Sequence, residues 1–185
     1  MLKYNDQWQK VKDAAMTTIG KEKGNYPSDL WKISMLLSEH SPIRKIHISY
    51  TWENIKSWVS VHFVRHKFGI EHWVSTQRDD RVQYERSADT LVRHEFEANA
   101  QAVINMSRKR LCYKAHKETR QKWIEFLLDL KKEDKILFSA CVPECVYRGG
   151  CPEMRPCGFY SAIYGVENDK ILERYKEYNI KREVR

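Results

Sequence analysis

Apolar residues recur at helical spacing along much of the chain. In residues 5–19, NDQWQKVKDAAMTTI, the side chains of Trp8, Val11, Ala15 and Ile19 share a face and predict an opening helix. Gly24 and Pro27 break the pattern. Ser28 or Asp29 is then placed to cap a second helix, LWKISMLLSEH, which Ser41 and Pro42 end. The alternating, β-branched and aromatic IRKIHISYTW predicts a strand over 43–52. Helical spacing returns in ENIKSWVSVHFVRHK, where Ile55, Trp58, Val59, His62, Phe63 and His66 fall on one side. Gly69 interrupts it, and the charged stretch as far as Arg81 reads as a loop or a short irregular element.

From Thr90 to Lys132 there is neither Gly nor Pro, and the pattern predicts a long helix whose second half, WIEFLLDLKK, is amphipathic. After EDKILFSA, residues 141–158 gather Cys, Gly and Pro into a turn region, and NDKILERYKEYNIKREVR predicts a charged surface helix. With no internal repeat and no low-complexity linker, one α/β (α+β) domain over residues 1–185 is the economical reading.

Composition narrows the class. Hydrophobic residues make up 42%, as in globular proteins, and no apolar run reaches the length of a membrane span. The first residues lack the apolar core of a signal peptide, and five cysteines form a poor disulfide framework, so the expected location is the cytoplasm. A net charge of +8 favours anionic partners without choosing among them.

Two constellations carry candidate chemistry. In VRHKFGIEHWVSTQRDDR, the cations Arg65, His66 and Lys67 follow a helix, where they complement its dipole or grip phosphates. Ser75, Gln77, Arg78 and Arg81 add further cations and polar groups, with Asp79 and Asp80 available to pair with the arginines. In NAQAVINMSRKRLCYKAHKE, Asn99 and Arg110 sit eleven residues apart. That is nearly three helical turns, so on one helix they point the same way about 16 Å apart. Val103 and Met106 lie between them on this stripe, and either a packed core with satisfied polar ends or a ligand fits it. Cys141, Cys145, Cys151 and Cys157 invite a structural zinc site, although their spacing is not that of a zinc knuckle and buried thiols are the plainer reading.

With these pieces together, the sequence resembles the flavin-dependent thymidylate synthases, particularly short bacteriophage members. SPIRKIHISYTWENIKSWVSVHFVRHK is similar to the family's strand, helix and Arg-His-Arg motif. NAQAVINMSRKRLCYKAHKE aligns without gaps to its Asn-x-Arg, Arg and Ala-Gln-x-Glu pattern, and YERSADTL resembles its Arg-x-x-Leu-Pro segment. The resemblance covers about residues 41–132. Within it, Lys67 replaces the final arginine of Arg-His-Arg, His62 the preceding glutamine, Lys45 a histidine and His116 a glutamine, and the Asn-Glu pair is missing.

The resemblance implies a thymidylate synthase-like fold with a central sheet flanked by long helices. It further implies FAD, with methylenetetrahydrofolate and NADPH as co-substrates, and a homotetramer with shared sites. The implied reaction adds a one-carbon unit to C5 of a pyrimidine deoxynucleotide monophosphate, dUMP to dTMP. Arg65, His66, Lys67, Asn99 and His62 are the implied flavin residues. Ser75, Gln77, Arg78, Arg81, Arg86 and Arg110 are the implied nucleotide residues, with Arg110 stabilising charge on the pyrimidine. A C5-hydroxymethylase of dUMP or dCMP on the same scaffold, and a basic zinc-stabilised module that binds nucleic acid, are the alternatives.

Overall fold

A computed structural model describes residues 1–78, 80–81, 87–163 and 170–183. Four strands form an antiparallel sheet: β1 (Leu2–Lys3), β2 (His47–Lys56), β3 (Ile70–Val74) and β4 (Leu91–Asn99), in the order β1-β2-β4-β3. Around it lie helices α1 (Trp8–Thr18), α2 (Asp29–Leu37), α3 (Ser57–Val64), α4 (Ala100–Arg110) and α5 (Lys117–Glu133). The chain continues through α6 (Lys135–Ala140), α7 (Glu144–Arg148), α8 (Phe159–Ile163) and α9 (Lys170–Glu183), while a 3₁₀ turn at Ser41–Lys45 leads into β2. The chain is therefore mixed helix and sheet, as its pattern predicts.

Several boundaries differ from those predictions. The largest difference is at residues 91–99, predicted helical and found as the central strand β4. Val92, His94, Phe96 and Ala98 are buried while Arg93 and Glu97 face out. That period of two matches a strand whose one face is covered. Antiparallel pairing on both sides secures it: Tyr50 and His72 both stand opposite Phe96. The long helix thus shrinks to α4 and α5, separated at 111–116. The predicted loop after Gly69 contains the edge strand β3, the predicted strand over 43–52 begins only at His47, and the helix predicted from Glu53 begins at Ser57. The Cys-rich segment carries the short helix α7, and α8 follows it.

The core packs on the buried sheet face. Phe96 lies within about 6 Å of Tyr50, Trp52, Trp123 and Phe126, centroid to centroid. Trp52 stacks on Phe63 at 4.8 Å, which ties α3 to the sheet. Trp123 Nε1 donates to Ser107 Oγ at 3.0 Å, and Ser107 donates to the Val103 carbonyl, so α5 is pinned to α4 by a satisfied buried hydroxyl. Asp134 closes the lower end, accepting from Tyr4, Trp8 Nε1 and the backbone of Ile136 and Leu137. A smaller cluster, with Val142, Val146, Ile163, Tyr175 and Tyr178, lies under the Cys-rich segment.

Candidate anion-binding site

Helices α3 and α4 end side by side. Arg110, the last residue of α4, donates from Nε to His66 Nε2 at 3.0 Å and from its terminal nitrogen to the His62 carbonyl at 2.5 Å. Because a guanidinium only donates, the His66 ring presents a bare Nε2 and carries its hydrogen on Nδ1. Burial, and next the Arg110 charge, hold His66 down at about 4, so it is neutral at physiological pH. His62 is lowered by the same causes, with Arg65 and His116 adding to them. Its Nδ1 meets the Thr119 hydroxyl at 2.8 Å.

Arg110 is itself shifted down, first by burial and then by the Arg65 charge. Two guanidiniums therefore approach each other beside two neutral imidazoles. Among the described residues, no carboxylate pairs with Arg65, Lys67 or Arg110. Several cations elsewhere in the chain do have a carboxylate partner: Arg78 grips Asp80 through two bonds of 2.9 Å, Arg81 lies 3.6 Å from the same carboxylate, and Lys109 meets Glu144. A half-buried arginine whose partners are a ring nitrogen and a carbonyl leaves its charge uncompensated, and an anion is what such a site lacks. Next to it, a cavity of about 460 Å³ is lined by Arg110, Cys112, Tyr113, Cys145, Cys151 and Phe159 among others. That volume suits a small organic ligand.

The structure brings together part of the predicted site. Arg65, His66, His62 and Arg110 converge at the C-terminal ends of α3 and α4, with exposed Lys67 following in the chain. Asn99 has another task. It caps α4, its Oδ1 accepting from Ala102 N at 2.9 Å, and its backbone N–H donates to the Gly69 carbonyl. Val103 and Met106, on the stripe between Asn99 and Arg110, are fully buried, so that stripe faces the core. Gln77 accepts from the Ser57 hydroxyl at the N-terminal end of α3, a helix length of about 12 Å from the Arg110 end. Ser75 pairs with Arg93 beyond the end of β3. Ser75, Gln77 and Arg78 therefore do not join the cluster of Arg65 and Arg110 within one chain. Arg86, like Asp79, lies outside the described residues.

The cysteines do not form the predicted quartet. Cys141 is fully buried in the main core, donates to the Leu137 carbonyl, and burial pushes its thiol up to about 11. Cys145, Cys151 and Cys157 line the cavity beside Arg110 together with Cys112 instead. Among the described residues, no group of three or more His, Cys, Asp and Glu is placed to hold a metal ion.

The sequence reading missed His72 and His94, which meet at 2.9 Å across β3 and β4 behind His66. The signal was alternation: in VRHEFEA the histidine falls between Val92 and Phe96 on the apolar face once the segment is taken as a strand. No helix among the described residues is long and apolar enough to cross a membrane. No protein-family model and no curated protein matches the chain.

Proposed function

We propose that the protein is a flavin-dependent enzyme of nucleotide biosynthesis, acting in the cytoplasm. It transfers a one-carbon unit from methylenetetrahydrofolate to C5 of a pyrimidine deoxynucleotide monophosphate, dUMP to dTMP, with NADPH as reductant. The observation that carries this reading is the uncompensated Arg110, held by His66 and His62 next to Arg65. These are the residues that the resemblance to flavin-dependent thymidylate synthases assigns to the flavin and the pyrimidine. The strand–helix–Arg65-His66-Lys67 order, with Arg110 closing a helix that Asn99 caps, further supports it.

When bound, FAD supplies the hydride that completes the methyl group. The chain's own residues bind and orient. Arg65 and Lys67 suit the flavin pyrophosphate, one as a planar fork and the other as a point charge. Arg110 offers a desolvated cation to charge that develops on a pyrimidine carbonyl, and desolvation strengthens that interaction. Because Ser75, Gln77 and Arg78 lie toward the other end of α3, a second copy supplies them to the nucleotide, as a homotetramer with shared sites allows.

Absorbance spectroscopy of the purified protein tests the proposal, with FAD added first and then dUMP or dCMP. A bound flavin band perturbed by dUMP supports it, and chromatography of the product separates methyl from hydroxymethyl transfer. Failure to bind FAD under any of these conditions refutes it.

A further inference from the structure

Behind the Arg65–Lys67 turn runs a line of polar groups that ligand binding does not itself employ. Ser60 on α3 is almost fully buried and His94 on β4 completely so. Ser60 Oγ lies 2.9 Å from His94 Nδ1, His94 Nε2 lies 2.9 Å from His72 Nδ1, and His72 Nε2 lies 3.1 Å from the His66 carbonyl oxygen.

The last contact determines all the others. A carbonyl only accepts, so His72 Nε2 carries a hydrogen. A neutral His72 then has a bare Nδ1, to which His94 donates from Nε2. His94 Nδ1 is left bare in turn and accepts from the Ser60 hydroxyl. Every donor points the same way, from Ser60 to His66. Both rings are held neutral chiefly by burial, which takes His94 down to about 4 and lowers His72 as well. Their surroundings contain little to charge them. Trp52 from β2 meets His94 edge-on at 5.3 Å, Phe63 from α3 lies at 6.2 Å, and Phe96 lies 6.4 Å from His72. Against burial, the bond to the His66 carbonyl and then the Glu71 charge favour a charged His72, and Glu71 is the one carboxylate among the described residues that acts on the pair.

At the far end, His66 is held on three sides. Its N–H donates to the Phe63 carbonyl at 2.9 Å, its carbonyl accepts from His72, and its ring accepts from Arg110. We propose that Ser60, His94 and His72 are positioning residues: a one-way hydrogen-bond chain through the core that fixes His66, and through it Arg110, in the orientation that receives an anion. The proposal rests on reading Arg65 and Arg110 as an anion site, and not on that anion being a flavin.

Long-range proton–nitrogen NMR of the ligand-free full chain near neutral pH reads the chain directly. The expected spectrum has His72 and His94 as Nε2–H tautomers, His66 as the Nδ1–H tautomer, and a slowly exchanging Arg110 Nε–H. His72→Phe keeps the bulk but loses both bonds. It is expected to speed Arg110 Nε–H exchange about tenfold and to weaken binding of inorganic pyrophosphate by a similar factor. His72→Gln restores a donor for the His66 carbonyl and is expected to keep binding within about threefold of the parent. A charged or Nδ1–H His72 in the parent protein overturns the proposal, and that measurement needs no variant to fold. So does a folded His72→Phe protein with unchanged Arg110 exchange. If the parent protein binds neither pyrophosphate nor FAD, the anion-site reading fails, while the tautomers and exchange rates still decide the relay.

Discussion

Arg110 Nε lies 3.0 Å from His66 Nε2, a bond that joins the ends of α4 and α3 across forty-four residues of chain. The same guanidinium reaches the His62 carbonyl in the last turn of α3 and so caps that helix. Capping accounts for the geometry of Arg110 but leaves its charge unbalanced, because each of its partners is neutral.

Replacement of Arg110 separates these roles. Arg110→Gln is expected to weaken FAD or pyrophosphate binding by roughly ten- to a hundredfold, as for one or two charge-assisted bonds. Its melting temperature should change little, since the lost cap is offset by relief of the repulsion from Arg65. Calorimetric titration and thermal melting check both. A fall of more than about 8 °C with unchanged binding assigns Arg110 to capping alone.

Gly69 and Asn99 make a second close approach. Gly69 has φ +71°, and a Cβ there would lie 2.5 Å from Asn99 Nδ2. Gly69→Ala is expected to cost about 2 kcal/mol or more, combining left-handed backbone strain with disturbance of the α4 cap. Gly20→Ala, at φ +67° with nothing within 4 Å, is expected to cost only the strain, about 1 kcal/mol. Urea denaturation of the two variants isolates the contribution of Asn99.

Stability should fall in mild acid. The folded chain holds His94 and His66 neutral to about pH 4, whereas both take up protons near 6.5 when unfolded. Between those values the unfolded state binds more protons, so stability is full above about 6.5 and is lost as the pH falls toward 4. For the fully buried His94 the slope approaches about 1.4 kcal/mol per pH unit. Denaturation midpoints from neutral pH down to mild acid test this, and His94→Asn should flatten the slope by about one proton.

Phe96 and Trp73 sit on neighbouring strands with opposite expectations. Phe96 is fully buried among four aromatic rings, and Phe96→Ala is expected to cost about 3–5 kcal/mol. Trp73 is 51% exposed on the edge strand, and Trp73→Ala should change stability by no more than about 0.5 kcal/mol. Chemical denaturation distinguishes the two, and equal losses would show that β3 is covered in solution.

Local pattern alone was enough for α1, α2, the amphipathic α5 and α9, because apolar periodicity and a capping Ser28 are properties of short segments. It also marked Arg65, His66 and Arg110 as candidate positions, although for the first two a charge complementing the helix dipole was the plainer local reading. Residues 91–99 could not be read that way. They carry no Gly or Pro, and a short charged segment with alternating apolar residues becomes a strand only when β2 and β3 satisfy its backbone on both sides. Once β4 is a strand, Asn99 turns from a helix-face residue into a cap, and His94 turns inward to meet His72.

Charge pairing was only partly a tertiary matter. Arg78 has Asp79 and Asp80 beside it in the sequence and pairs with Asp80, whereas only the fold shows that no described carboxylate reaches Arg110. The sequence by itself determined which residue types are present and which helices they favour. Only the packing of α3 against α4 decided that Arg110 is half-buried beside neutral partners, because the energy of a charge is set by neighbours that the fold brings from far along the chain.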